Sequence, residues 1–99
     1  MRKNTQAIHL PYRRRDAYDA LNMPVYNAVA YEFDDAKTMA DAFCERIDAP
    51  DYSRCENPTV DNFEDRVRAL TDAFSVTALN SGMAAISNIM LALTAQGKN

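Results

Sequence analysis

Ser75-Val76-Thr77-Ala78-Leu79 is a β-prone run closed by Asn80-Ser81-Gly82, after which Met83, Ile86, Met90 and Leu93 take up helical spacing. This order of strand, tight polar turn and helix constrains the chain more than any other feature. A strand near the middle of a sequence needs neighbours along both edges to satisfy its backbone. Only one other segment is a candidate neighbour: Ala28 to Phe33, where Val29, Tyr31 and Phe33 alternate on one side. Ninety-nine residues make at most one small domain. With so little sheet of its own, this chain reads as cut from something larger.

The rest of the pattern is helical. Asp34 or Asp35 is a good N-cap for a stripe of Ala36, Met39, Ala40, Phe43 and Ile47, which predicts a helix over about 35–47 ended by Pro50. Asn57 and Pro58 form an N-cap and first-turn pair, and Val60, Phe63, Val67, Leu70 and Phe74 keep helical spacing, which predicts a second helix over about 58–73. The third begins after Gly82, with Gly97 as a plausible stop. Met1 to about Asn27 lacks a steady apolar period and contains Pro11, Pro24 and tyrosines at 12, 18 and 26, so it reads as an extended arm that packs along another surface.

Charge is divided along the chain. Residues 1–15 carry Arg2, Lys3, Arg13, Arg14 and Arg15 and no acid, whereas all 14 acidic residues follow them. A basic arm on an acidic body suits a nucleic-acid tail or an arm gripping the acidic surface of a partner subunit. The pI near 5.0 favours the second. No apolar run approaches the roughly 18 residues that span a bilayer, and Met1 to Gln6 leads into no apolar leader, so a cytoplasmic protein without membrane or nucleic-acid partners is expected. Cys44 and Cys55 are too few for a disulfide framework and read as free thiols. His9 is the only histidine, and no metal site is expected.

Two places carry possible chemistry. Asn80-Ser81-Gly82 between strand and helix aims backbone N–H groups and the positive helix end at one point, where Ser81 adds a hydroxyl; phosphate is the natural guest, although one glycine after a strand is more often plain turn chemistry. The polar loop from Asp48 to Glu56 holds Tyr52 and Arg54 two positions apart. If that loop is extended, both project from one side and hold a phosphate or carboxylate. In the plainer alternative Arg54 is a solvated cation and Tyr52 packs on the second helix, with Asn57-Pro58-Thr59 serving only as helix-start punctuation.

Taken together, Tyr52-Ser53-Arg54-Cys55-Glu56-Asn57-Pro58-Thr59 followed by Ser81-Gly82-Met83-Ala84-Ala85 resembles the Cys/Met-metabolism family of pyridoxal-phosphate enzymes. That group includes O-acetylhomoserine sulfhydrylase, cystathionine γ-synthase, the cystathionine lyases and methionine γ-lyase. Met23-Pro24-Val25-Tyr26 and Ala30-Tyr31-Glu32-Phe33 are similar to the family's N-terminal arm and 35–46 to its first helix, while Phe63-Glu64-Asp65-Arg66-Val67 leans towards the sulfhydrylase branch. The resemblance implies an α/β parent of fold type I, of which this chain is a mostly helical N-terminal segment with an extended arm and one or two short strands. It implies two parts: 1–57, arm and first helix, packed on a neighbouring subunit, and 58–99, the start of the large cofactor-binding domain.

The resemblance further implies that Ser81, Gly82 and Met83 surround the phosphate of pyridoxal 5′-phosphate in their own subunit, Gly82 and Met83 through backbone N–H groups. Tyr52 and Arg54 would reach the phosphate of the neighbouring subunit's cofactor, and Tyr52 would assist proton transfer near a small amino-acid substrate, in a homotetramer built as a dimer of dimers. Two departures stand out. The family's Leu-Glu-Gly-Gly is replaced by Leu70-Thr71-Asp72-Ala73, which puts the local turn in question. The family's ring-stacking tyrosine, its aspartate at the pyridine nitrogen and its Schiff-base lysine are expected beyond Asn99; Lys98 lacks the surrounding motif, so the 99 residues alone are expected to be inactive. The rival reading is a non-enzymatic helical interaction module that docks through Arg13-Arg14-Arg15.

Overall fold

The computed structural model describes residues 2–12 and 16–95. Arg13, Arg14, Arg15, Gly97 and Lys98, each named above, lie outside the described residues. Four helices follow in order: α1 (Lys3–His9), α2 (Ala36–Phe43), α3 (Pro58–Thr71) and α4 (Gly82–Thr94).

Three of the four start on a side-chain cap, two of them, Asp35 and Asn57, at the positions that the sequence predicts. Asp35 accepts from Thr38 N at 2.7 Å and from Thr38 Oγ1 at 2.9 Å, opening α2. These bonds, the backbone N–H first, hold the Asp35 carboxyl below its ordinary range. Asn57 Oδ1 accepts from Thr59 N at 2.9 Å with Pro58 in the first turn of α3, and Ser81 Oγ accepts from Ala84 N at 3.1 Å at the head of α4.

The ends differ from expectation. α2 stops at Phe43, four residues before the apolar stripe runs out. Glu45 turns left-handed (φ 55°), its N–H donating to Ala42 O at 3.0 Å while Arg46 N donates to Asp41 O at 2.8 Å. That pair of bonds is a Schellman motif with glutamate in the place glycine usually takes, which is why no composition signal marked it. α3 also ends on a left-handed residue: Asp72 has φ 55°, and its N–H and that of Ala73 both donate to Arg68 O, the latter at 3.2 Å. The turn questioned by the missing glycines is therefore present, with aspartate in the left-handed conformation that it tolerates better than most residues.

Two expectations are corrected. The arm is not extended throughout, because Lys3–His9 forms α1 against α3. Lys3 Nζ donates to Leu70 O at 2.9 Å, satisfying a carbonyl of the last turn of α3, and Arg66 Nη1 donates to Ala7 O in α1. These contacts between residues far apart in sequence fold a segment whose own apolar period is weak.

The strands expected at 75–79 and 28–33 are also absent. Among the described residues the only β-pairing is a single antiparallel bridge between Ala30 and Tyr52. Residues 75–79 are extended but unpaired; the Ala78 N–H is taken by Glu64 Oε1 at 2.6 Å instead of by a neighbouring strand. β-propensity without a partner backbone makes no ladder.

Little apolar surface is enclosed. Ala42 is the one buried hydrophobic residue among those described, while Asp16, Asn57 and Asp65 are buried polar ones. The radius of gyration is 16.2 Å, against about 13 Å for a compact domain of this length. Polar bonds, more than a core, hold this chain in shape.

Candidate phosphate-binding site

The loop before α3 owes its form to three side chains that point inward. Ser53 N donates to Val29 O at 2.9 Å and Ser53 Oγ donates to Ala28 O, which ties the loop to the extended segment 28–31. Thr59 Oγ1 donates to Pro24 O and accepts from Tyr26 N, both at 2.8 Å. Asn57 Nδ2 has Tyr26 O at 2.9 Å, Ser53 Oγ at 3.1 Å and the Tyr31 hydroxyl at 3.3 Å as acceptors. Asn57 is thus far more than punctuation: one buried amide ties the loop 52–59 to the stretch 24–31 and caps a helix.

Tyr52 and Arg54, which flank Ser53, are left for other work. The loop between them is not extended. It closes as a turn in which Cys55 N and Glu56 N both donate to Tyr52 O at 2.9 Å. The two side chains nevertheless meet, the guanidinium carbon of Arg54 lying 5.2 Å from the centre of the Tyr52 ring. Stacking on an aromatic face orients a guanidinium and uses none of its in-plane N–H groups, so the fork stays free for an oxyanion. Cys55 beside it is an exposed free thiol, as is Cys44.

Tyr52 and Arg54 line an open groove of about 830 Å³ between the end of α2, marked by Phe43 and Ile47, and the first turns of α3 at Asp61 and Glu64. Its charged lining is mostly acidic: Glu45, Asp48, Asp51, Glu56, Asp61 and Glu64 against Arg46 and Arg54. A dianion is repelled from the groove as a whole and attracted only by the cations, of which Arg54 is exposed and already oriented.

The second half-site is the head of α4. Ser81 caps with its oxygen and keeps its hydroxyl proton to donate. The first-turn N–H groups of Gly82 and Met83 have no acceptor inside a helix, and they sit at its positive end. A Cβ added at Gly82 meets nothing within 4 Å, so the bare backbone faces open space. Hydroxyl, two backbone N–H groups, guanidinium and phenol are the donor chemistry that a phosphate monoester takes, and in that sense the residues present fit pyridoxal phosphate. The chain does not gather them into one pocket: Ser81, Gly82 and Met83 are not among the groove's lining residues.

Sequence reasoning passed over a third polar cluster. The Asp16 carboxylate accepts from the Tyr26 hydroxyl at Oδ1, and at Oδ2 from Tyr18 N at 3.0 Å and Ala20 N at 3.2 Å. The Tyr26 bond first, and then the backbone donors against the opposing effect of burial, hold the Asp16 carboxyl below its ordinary range; the same bond raises the Tyr26 phenol. Nothing in the local sequence signals a pair ten residues apart in an irregular arm. Among the described residues no group of three His, Cys, Asp or Glu side chains is arranged to hold a metal ion, and no helix is long and apolar enough to cross a membrane.

Residues 4–99 match the family described as Cys/Met metabolism PLP-dependent enzyme, and the chain belongs to that family. Membership implies the α/β architecture of fold type I, to which the described residues contribute helices and a single bridge. The chain is 34% identical over 93 residues to an O-acetyl-L-homoserine sulfhydrylase of Corynebacterium glutamicum, covering 94% of this chain and 21% of that protein. It is 34% identical over 93 residues to an L-methionine gamma-lyase of Pseudomonas putida (94% and 23%), and 36% identical over 93 residues to the chloroplastic cystathionine gamma-synthase 1 of Nicotiana tabacum (92% and 17%). The chain therefore spans about a fifth of the length of these curated relatives.

Proposed function

We propose that this chain is the N-terminal part of a pyridoxal-phosphate-dependent enzyme of sulfur amino-acid metabolism, one that carries out γ-replacement or elimination on an O-acetylhomoserine-, cystathionine- or methionine-type substrate. The relatives named as sulfhydrylase, γ-lyase and γ-synthase support the reaction class. When bound, the cofactor supplies an electron sink for charge developing at the substrate α-carbon. Ser81, Gly82 and Met83 hold its phosphate at the head of α4 within their own subunit. Tyr52 and Arg54 clamp the phosphate bound by a neighbouring subunit, and the Tyr52 hydroxyl holds or moves a proton near the substrate.

The observation that carries this reading is the Arg54 guanidinium stacked on Tyr52 and exposed, apart from the α4 donors of the same chain. A phosphate site split in this way is completed between two chains. A dimer of dimers in the cytoplasm, with residues 1–57 packed across the interface and 58–99 opening the large domain, is the assembly that this division suits.

The experiment is a titration of the 99-residue chain with pyridoxal 5′-phosphate and with inorganic phosphate at several chain concentrations. Affinity rises with chain concentration, Arg54→Ala and Ser81→Ala each weaken it, and mixing the two variants restores part of it, because a mixed dimer holds one intact pocket. Binding independent of both concentration and Arg54 would refute the reading.

A further inference from the structure

We propose that Asn57 is a positioning residue for the Tyr52–Arg54 pair, an inference that rests on reading the pair as a phosphate clamp. Helix capping alone asks only for the side-chain oxygen, which accepts from Thr59 N at 2.9 Å, and serine or aspartate would serve as well. The amide nitrogen serves the loop. Its two protons are offered to Tyr26 O and the Tyr31 hydroxyl in the stretch 24–31 and to Ser53 Oγ in its own loop, by a residue that is only 8% exposed.

Ser53 is the link to the clamp. Its hydroxyl lies 3.1 Å from Asn57 Nδ2 and 3.2 Å from the Tyr31 hydroxyl, and its own proton goes to Ala28 O. With Ser53 held from both directions, the turn through Tyr52 O brings the side chains on either side of it together, Arg54 exposed and Tyr52 half-buried. Of the natural side chains that cap helices well, asparagine is the one that accepts at one atom and donates two protons from another.

Asn57→Ser and Asn57→Asp separate the two roles, since both keep a capping oxygen and remove the two amide N–H donors, serine retaining only a single hydroxyl proton on a shorter side chain. Nuclear magnetic resonance on the full 99-residue chain reads the ring-current shift of the Arg54 side-chain N–H caused by Tyr52, and inorganic phosphate is the titrant. With α3 helicity retained by circular dichroism, both variants lose the ring-current shift and bind phosphate at least fivefold more weakly. An unchanged Arg54 resonance, or phosphate affinity within twofold of the unaltered chain, would overturn the proposal. Loss of α3 in both variants would also overturn it, by assigning Asn57 to the helix. Should phosphate fail to reach Arg54 in the unaltered chain, the clamp reading falls, while the ring-current shift still decides whether Asn57 sets the pair.

Discussion

The knot formed by residues 24–31 and 52–59 and the helix α4 are opposite solutions within one chain. In the knot, Ser53, Asn57 and Thr59 fasten backbone groups from Pro24 to Val29, and buried polar atoms find partners without outside help. In α4 the helix backbone past its first turn is bonded internally and the side chains lack partners: Met83, Ile86, Ile89, Met90, Leu91 and Leu93 are all exposed, and no other helix among those described packs on it. A helix that is apolar on most faces is built for burial. The two proposed halves of the phosphate site follow this division, Tyr52 and Arg54 rising from the knot and Ser81 to Met83 from the head of α4. One half is therefore preformed by polar bonds, whereas the other is carried on an element whose sides await packing.

Substitutions break or sharpen this contrast to different degrees. The largest effect is expected from Asn57→Ala, which removes a cap and leaves buried acceptors unpaired. A loss of about 2–3 kcal/mol in the free energy of opening the knot is expected, read by hydrogen exchange at Ser53 and Thr59. Arg66→Ala follows, because a charged donor to Ala7 O is lost; α1 should then exchange its amides as a free peptide does, a change of about 1.5–3 kcal/mol, with the knot intact. Glu45→Gly acts with the opposite sign, relieving a left-handed glutamate by roughly 1 kcal/mol in the melting of α2, and Asp72→Gly does less because aspartate tolerates that conformation. The smallest change is expected at Leu91→Gln: on an exposed face, local stability should move by no more than about 0.5 kcal/mol, while light scattering should report reduced self-association.

Acid sharpens the contrast from another side. The Asp16 carboxyl is lowered by its bond from Tyr26, so its stabilising contribution is present above the ordinary carboxylate range and is lost as pH falls through the lowered folded value. Tyr26 is raised, so its contribution is present below the ordinary phenol range and is lost as pH climbs through the raised value. Across the whole interval between them, the Tyr26 ring resonance should stay constant, with no step near neutrality. A midpoint between pH 6 and 8 would break the assignment of the pair.

Local chemistry was legible where one residue speaks for itself. Asp35 and Asn57 with Pro58 announce two helix starts, since a capping side chain acts within three residues of its own position; Ser81 caps the third. The Tyr52–Arg54 pair and the Ser81-Gly82-Met83 turn were likewise visible as residue types at telling spacings. Helix ends at Glu45 and Asp72 were not, because both take a left-handed turn on residues that seldom do so. Nor were the roles of Asp16, Tyr26 and Tyr31, whose long-range bonds span from ten to thirty-three residues.

The amino-acid order by itself set the caps, the apolar faces, the two donor groups and the family to which they belong, because each depends on neighbours a few positions away. Tertiary structure decided that α1 forms, that residues 75–79 stay unpaired, and that Asn57 ties its own loop to residues 24–31. Those outcomes depend on which backbone groups meet across tens of residues, and hydrogen-bond partners at that range follow from folding in space.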